Sequence, residues 1–250
     1  MSSSVFRLLL INPNTTAAMT RKMLGVARGA AAPRTRLTAV TGRFGARYIA
    51  SRVAAAVAGH AALDALARYR AAHDVVVLAC FGDPSLLALR EFSAKPVIGM
   101  AEASICEASR KGRRFAIVTG GERWGPMMEE FVAAMGLSRQ LARVRTVAPT
   151  GADIARDPEA AYDLLVRACR DAATRDKAET VILGGAGLAG IAARIQPRVE
   201  VPLIDSTVAV IKAAEAIARS KRRALRDPLG PTPPVDSIGL SPALSRSLRA

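Results

Sequence analysis

A chain of 250 residues fits one large or two small domains, and 50% hydrophobic residues are enough for real cores. No apolar run approaches the roughly 18 residues of a membrane span, and Met1-Ser2-Ser3-Ser4 lacks the pattern of a signal peptide, so a cytoplasmic setting without a membrane partner is expected. The net charge of +15 admits a nucleic-acid partner, but scattered arginines, 4% aromatic residues and no helix-turn-helix, RRM or KH signature favour a basic surface suited to anionic small molecules over nucleic acid.

In chain order, Val5 to Ile11 reads as a strand ending in Asn12-Pro13-Asn14-Thr15-Thr16, where Asn14 or Thr15 can cap a helix to about Gly29. Thr35 to Thr41 is a second strand, followed by the glycine-bracketed loop Gly42-Arg43-Phe44-Gly45. A long Ala-rich helix is expected from Ala46 to Ala71, with an interruption at Gly59. Val75 to Ala79 is a strand running into Cys80-Phe81-Gly82-Asp83-Pro84, and a helix then reaches about Phe92. Lys95 to Gly99 is a short strand and Ala101 to Lys111 a helix.

The pattern then restarts. Arg114 to Gly120 is a strand, Trp124 to Met135 a helix, Leu141 to Val147 a strand and Glu159 to Arg175 a helix. Glu179 to Gly184 is a strand entering Gly185-Ala186-Gly187, Val201 to Asp205 is the last strand, and Ser206 to Ser220 the last helix. Strands alternating with helices mean parallel sheets. The halves read as copies, because Asn12 to Cys80 spans 68 positions and Thr119 to Gly185 spans 66. The expectation is an α/β fold of two similar lobes, each a parallel sheet flanked by helices, facing each other across one cleft. The lobes are residues 1–98 and 99–205. Residues 206–220 form a helix packing back on the first lobe. The basic, Pro-containing stretch 221–250 fits no packed element and reads as flexible or wrapped over a neighbouring subunit.

Cys80 stands at the carboxyl end of a buried strand, where open α/β sheets place ligands. A helix opening at Pro84 and capped by Asp83 would turn its positive end towards the thiol and lower its pKa. A packed core cysteine is the plain alternative. Cys106 and Cys169 lie inside apolar helical patterns and read as packing residues, although Cys106 is a minor candidate for a second base. The three cysteines have neither disulfide nor zinc spacing, and His60 and His73 lack a ligand partner, so no metal site is expected. Arg43 either reaches the cleft to bind a carboxylate or is a solvated loop arginine. Gly184-Gly185-Ala186-Gly187 lacks the pattern of a nucleotide-binding loop.

Over roughly residues 5–220 the chain resembles the aspartate/glutamate/hydantoin racemase superfamily. The carriers are Ile11-Asn12-Pro13-Asn14-Thr15-Thr16, Cys80-Phe81-Gly82-Asp83-Pro84, Thr119-Gly120-Gly121-Glu122-Arg123-Trp124 and Gly184-Gly185-Ala186-Gly187. The resemblance implies a pseudo-two-fold fold, a cofactor-free site between the lobes and a homo-oligomer. It implies Cys80 as a thiol acid/base acting at the carbon next to a carbonyl. It also implies a substrate-binding set of Asn12, Phe81, Gly82, Thr119, Gly120, Gly185, Ala186 and Gly187, with Arg43 added from its loop position.

The same resemblance carries a departure. Where the racemases have a second cysteine within a Gly-Cys-Ala-Gly turn, this chain has Gly185, which can move no proton. A racemase or epimerase of hydantoin or amino-acid type is therefore set beside two alternatives. One is a one-cysteine decarboxylase of arylmalonate type delivering a single proton from Cys80. The other is a non-catalytic relative that binds a small molecule.

Overall fold

The computed structural model describes residues 5–69, 71–220 and 233–249. The first lobe runs β1 (Phe6–Asn12), α1 (Ala17–Ala30), β2 (Thr35–Thr41), α2 (Arg52–Arg68), β3 (Val75–Leu78), α3 (Leu86–Phe92), β4 (Val97–Gly99) and α4 (Met100–Ala108). The second runs β5 (Phe115–Gly120), α5 (Trp124–Ala134), β6 (Leu141–Val147), α6 (Gly151–Arg156), α7 (Pro158–Thr174), β7 (Thr180–Gly184), α8 (Ile191–Ile195) and β8 (Leu203–Asp205). Two further helices follow, α9 (Ser206–Ser220) and α10 (Pro242–Leu248). Each lobe has one four-stranded parallel sheet, ordered β2-β1-β3-β4 and β6-β5-β7-β8, so the two halves share one topology. No helix among the described residues is long and apolar enough to cross a membrane.

The central strands are continuous apolar runs because both of their faces are covered. Alternate residues separate the layers. Leu8, Leu10, Val75 and Val77 join Phe115, Ile117 and Ile182 in one core shared between the lobes. Leu9, Ile11, Val76 and Leu78 face α2 and α3, while Ala116, Val118, Val181 and Leu183 face α7 and α8. α9 returns to pack on α1, α4 and β3. Where side chains stand on alternate faces, a buried strand feeds two cores at once.

Several expected boundaries move, each for a local reason. α2 begins at Arg52 rather than Ala46, because Ser51 accepts the Ala54 amide at 3.2 Å and caps it there. Residues 46–51 are left as a loop. Gly59 does not interrupt α2; its missing side chain admits Ser85, whose Oγ would lie 1.9 Å from a Cβ at that position. α3 starts at Leu86, after Asp83 and Ser85 adopt left-handed φ of 45° and 59°. Thr16 occupies the N-cap position of α1, with its amide donating to Asn14 Oδ1 at 2.9 Å. The short helices α6 and α8 add to the expected elements, and Thr150 and Asp153 cap α6 reciprocally.

The carboxy-terminal stretch also needs correction. Residues 221–232 and 250 lie outside the described residues, but the stretch is not without a packed element. α10 lies on α2, with Leu244 buried and Ser241 both capping α10 and donating to the Asp64 carboxylate. Its sequence signal is Ser241-Pro242, a cap followed by proline in the first turn.

A pair of glycine substitutions separates helix propensity from close packing. Gly25 is exposed in α1, and a Cβ added there would meet nothing within 4 Å, so Gly25→Ala should raise stability by about 0.5–1 kcal/mol. A Cβ at Gly187 would sit 1.9 Å from the Gly151 carbonyl oxygen, so Gly187→Ala should cost about 1–3 kcal/mol. Denaturant midpoints of the two variants check both signs.

Candidate active site

The site grows from strand register. Ile11 pairs with Leu78 and the Ala79 amide donates to Ile11 O, so Cys80 is the first residue beyond the β1–β3 pairing. Thr119 pairs with Gly184, so Gly185 is the first residue beyond β5–β7. Cys80 and Gly185 therefore occupy equivalent places at the carboxyl ends of the two sheets. Both line one small cavity of about 30 Å³ between the lobes.

The lobes close on each other through glycines. The Phe81 ring lies over Gly184, where a Cβ would meet it at 2.3 Å, and the Trp124 ring lies over Gly82, where a Cβ would meet it at 2.6 Å. Tyr48, on the loop before α2, accepts the Gly151 amide at 2.9 Å and donates to Gly120 O at 3.4 Å. Burial raises the Tyr48 pKa, although hydrogen bonds from Gly151 and Trp124 pull the other way, so the phenol stays protonated. Lys22 of α1 donates to Gly187 O at 2.6 Å and ties the second glycine turn to the first lobe.

Cys80 is 8% exposed, and its thiol donates weakly to Phe81 O at 3.9 Å. Burial, and then the nearby Asp83 carboxyl, push its pKa well above that of an ordinary cysteine. The expected lowering by a helix N-terminus is thus overturned: α3 starts too late, and Asp83 does not cap it. Asp83 instead accepts the amides of Ala101 at 3.0 Å and Glu102 at 2.7 Å, hooking the cysteine turn to the start of α4. Gly99 leaves room for this carboxylate, which would lie 2.0 Å from a Cβ there. Burial pushes the Asp83 pKa up to about 7, against the opposing pull of the backbone amides of Glu102, Ala101 and Met100.

Of the residues expected at the site, Cys80, Phe81, Thr119, Gly185 and Ala186 line the cavity. Thr119 is 3% exposed and its hydroxyl has no partner among the described residues. The amides of Phe81, Gly82, Ala186 and Gly187 likewise find no acceptor among those residues, so four donors stand in the two turns that flank the cavity. Asn12 does not line the cavity. Its amide group donates to Asn14 Oδ1 at 2.9 Å and Thr20 Oγ1 at 2.8 Å, and its Oδ1 accepts the Asn14 amide, so it is spent on shaping the loop. Asn14 lines the cavity instead. Arg43 is exposed and outside the cavity, and its charge helps hold the Asp64 carboxyl below its usual range. Gly82, Gly120 and Gly187 act behind the wall, through close contacts and backbone hydrogen bonds. Cys106 lies along a separate groove beside Glu107 and Lys212, and Cys169 is packed in the outer core of the second lobe.

Sequence reading missed Tyr48, Ile49, Met19 and Leu188 in the cavity wall. The expected long helix hides Tyr48 and Ile49. Asn14 stands within the quoted motif, and only the hydrogen bonds separate its role from that of Asn12. No charged side chain lines the cavity. Among the described residues, no three His, Cys, Asp or Glu side chains converge as metal ligands.

Comparison with known proteins agrees with the two-lobed fold. The family model Asp/Glu/Hydantoin racemase matches residues 8–214. A hydantoin racemase of Pseudomonas sp. (strain NS671) is 36% identical over 212 residues, covering 84% of this chain and 85% of that protein. The crystal structure of an allantoin racemase from Pseudomonas fluorescens superposes with a TM-score of 0.86 at 30% identity, covering 94% of this chain and 100% of the other. An allantoin racemase from Klebsiella pneumoniae gives 0.82 at 32% identity, covering 86% and 89%.

The Asp83 environment sets a stability window. The folded chain holds this proton up to about pH 7, whereas the unfolded chain releases it near the ordinary aspartate value of 3.8. The unfolded state therefore binds fewer protons between those values, and stability should fall as pH rises from about 4 to 7 and level off above. Thermal unfolding from pH 4 to 8 should show a smaller decline in Asp83→Asn than in the wild type.

Proposed function

The chain belongs to the Asp/Glu/hydantoin racemase family and is an isomerase of the racemase type; within that class we propose that it inverts the carbon α to a carbonyl in a neutral cyclic amide or imide of hydantoin type, with Cys80 as the thiol acid/base. The observation that carries this reading is a cavity holding one thiol, unpaired backbone amides and no charged side chain.

Deprotonating a carbon next to a carbonyl places negative charge on the carbonyl oxygen. The free amides of Phe81 and Ala186, which line the cavity, are donors of the type that stabilises such an oxyanion. Asn14 adds a side-chain amide on the wall. A free amino acid would bring a carboxylate into this cavity with no cation to meet it, which costs several kcal/mol. A hydantoin ring carries no such charge, and its carbonyls match the donors. This refines the sequence-based expectation of an anionic or carbonyl substrate towards the carbonyl. The chemistry needs no cofactor, because the flanking carbonyls already acidify the C–H bond.

At about 30 Å³ the cavity is far below the roughly 300–1,000 Å³ of sites that hold drug-sized ligands, so the lobes must part to admit a ring. Tyr48, Phe81 and Trp124 lie on the seam that opens. A decarboxylase delivering one proton from Cys80 is a second reading, favoured by the lack of a side chain at Gly185 alone.

The test is α-proton exchange in deuterium oxide over hydantoins, allantoin, α-amino acids and arylmalonates, followed by NMR and chiral chromatography. Deuterium gain with loss of optical purity on the neutral rings is expected. Release of CO2 to give one enantiomer from a malonate would replace the racemase reading. Cys80→Ser should lower kcat by about 10²–10⁴-fold with a smaller change in KM. Because the free thiol is held protonated at neutral pH, kcat/KM should rise about tenfold per pH unit from pH 6 to 9. A flat profile there would exclude a thiolate formed from Cys80 as the base.

A further inference from the structure

Cys80 and Gly185 line one cavity from equivalent strand ends of the two lobes, so a planar enolate held between them would present one face to the thiol and the other to Gly185. A Cβ placed at Gly185 would meet Leu188 Cδ1 at 3.6 Å and Thr119 Oγ1 at 3.8 Å in ordinary van der Waals contact, so a methyl group fits here and would stand between the backbone and the Thr119 hydroxyl. Gly185 has φ of +131°, a conformation that a side-chain-bearing residue adopts only under strain. The Thr119 hydroxyl stands at this place without a partner among the described residues, and the Ala186 amide, likewise unpaired among them, is adjacent. A water needs roughly 10–15 Å³ and two to four polar partners, and the cavity of about 30 Å³ supplies the room.

We infer that a water molecule seated beside Gly185 and held by the Thr119 hydroxyl carries the proton on the face opposite Cys80. The inference rests on the racemase reading above. In one direction, the Cys80 thiolate takes the α-proton and the C–H electron pair moves to the carbonyl oxygen. The water then gives a proton to the opposite face of the carbon and becomes hydroxide. Hydroxide takes the thiol proton back through solvent, which restores water and thiolate. In the other direction, hydroxide at Thr119 takes the α-proton and the Cys80 thiol returns one. Thiolate with water and thiol with hydroxide carry the same number of protons, so both enantiomers share one pH dependence. Thr119 is a positioning residue, because it acts through the water.

Three variants test this in deuterium oxide, each assayed with both enantiomers of a 5-substituted hydantoin and corrected for uncatalysed exchange. Gly185→Ala fills the space with a methyl group. It should keep Cys80-dependent exchange with retention for one enantiomer and lose inversion at least tenfold. Gly185→Cys carries the same backbone strain but supplies a thiol, and should invert at least as fast as the wild type. Thr119→Val should also lose inversion more than exchange, with Thr119→Ser restoring it; this arm stands even if position 185 tolerates no substitution. Inversion unchanged in both Gly185→Ala and Thr119→Val would overturn the inference, as would parallel loss of exchange and inversion in Thr119→Val. Absence of Cys80-dependent exchange in the wild type would remove the racemase reading itself and the inference with it, a result distinct from loss confined to the variants.

Discussion

The close approach of the two sheets' carboxyl ends is the constraint on which the site depends. It is possible because each lobe presents a glycine where the other presents a ring: Phe81 covers Gly184, and Trp124 covers Gly82. Within the second lobe, Gly187 meets the Gly151 backbone, where no Cβ would fit. These contacts bury the strand ends without using any charged group, and so they set both the size and the polarity of the cavity. A larger residue at any of these glycines would push the turns apart before it touched a substrate. The geometry of the candidate site and the inter-lobe packing are therefore one feature.

The buried carboxylate of Asp83 solves a different problem. A turn that ends a buried strand must place its polar groups somewhere, and Asp83 places them on the first amides of α4. Those bonds tie the cysteine turn to α4, and they place a carboxyl that titrates at about 7 near a thiol that burial already keeps neutral. The second lobe handles the equivalent task with Asp205, which accepts the amides of Gly190 at 2.6 Å and Thr207 at 2.9 Å. The duplicated fold thus keeps a carboxylate hook in each half while the groups at the cavity itself diverge to Cys80 and Gly185.

Much of this was legible from residue order. Apolar runs mark the central strands β1, β3, β5 and β7, and the near-equal spacings from Asn12 to Cys80 and from Thr119 to Gly185 equate the two strand ends. What stayed hidden depended on hydrogen bonds between residues far apart in sequence. Asn12 and Asn14 share a motif and a chemistry, and only their bonding to Thr20 and Thr16 decides which faces the cavity. Tyr48 sits within a helix-compatible run, and only the Ser51 cap delays α2 to Arg52 and frees the tyrosine for the cavity wall. Asp83 reads as the cap of the nearer helix, yet its left-handed backbone turns its carboxylate to a helix eighteen residues on. Local pattern locates the elements, and tertiary bonding assigns the polar residues between them.

The strong positive charge of the chain and the neutrality of its cavity belong together. Lys and Arg number 36 against 21 Asp and Glu and make the surface basic, yet none of these side chains lines the site. A cation in so small a cavity would favour the thiolate and speed proton abstraction, but it would also bind anions and hold them. A neutral wall of amides does the reverse. It stabilises negative charge only where a carbonyl oxygen acquires it, during the reaction, and offers little to a carboxylate in the ground state. The cost is a thiol that stays protonated at neutral pH. That cost would be smaller for the proposed hydantoin-type substrate, whose C–H bond is acidified by two flanking groups in a ring, than for an unactivated amino acid. The polarity of the wall and the protonation of Cys80 therefore share one cause, the exclusion of charge from the cavity, and both favour the proposed substrate class.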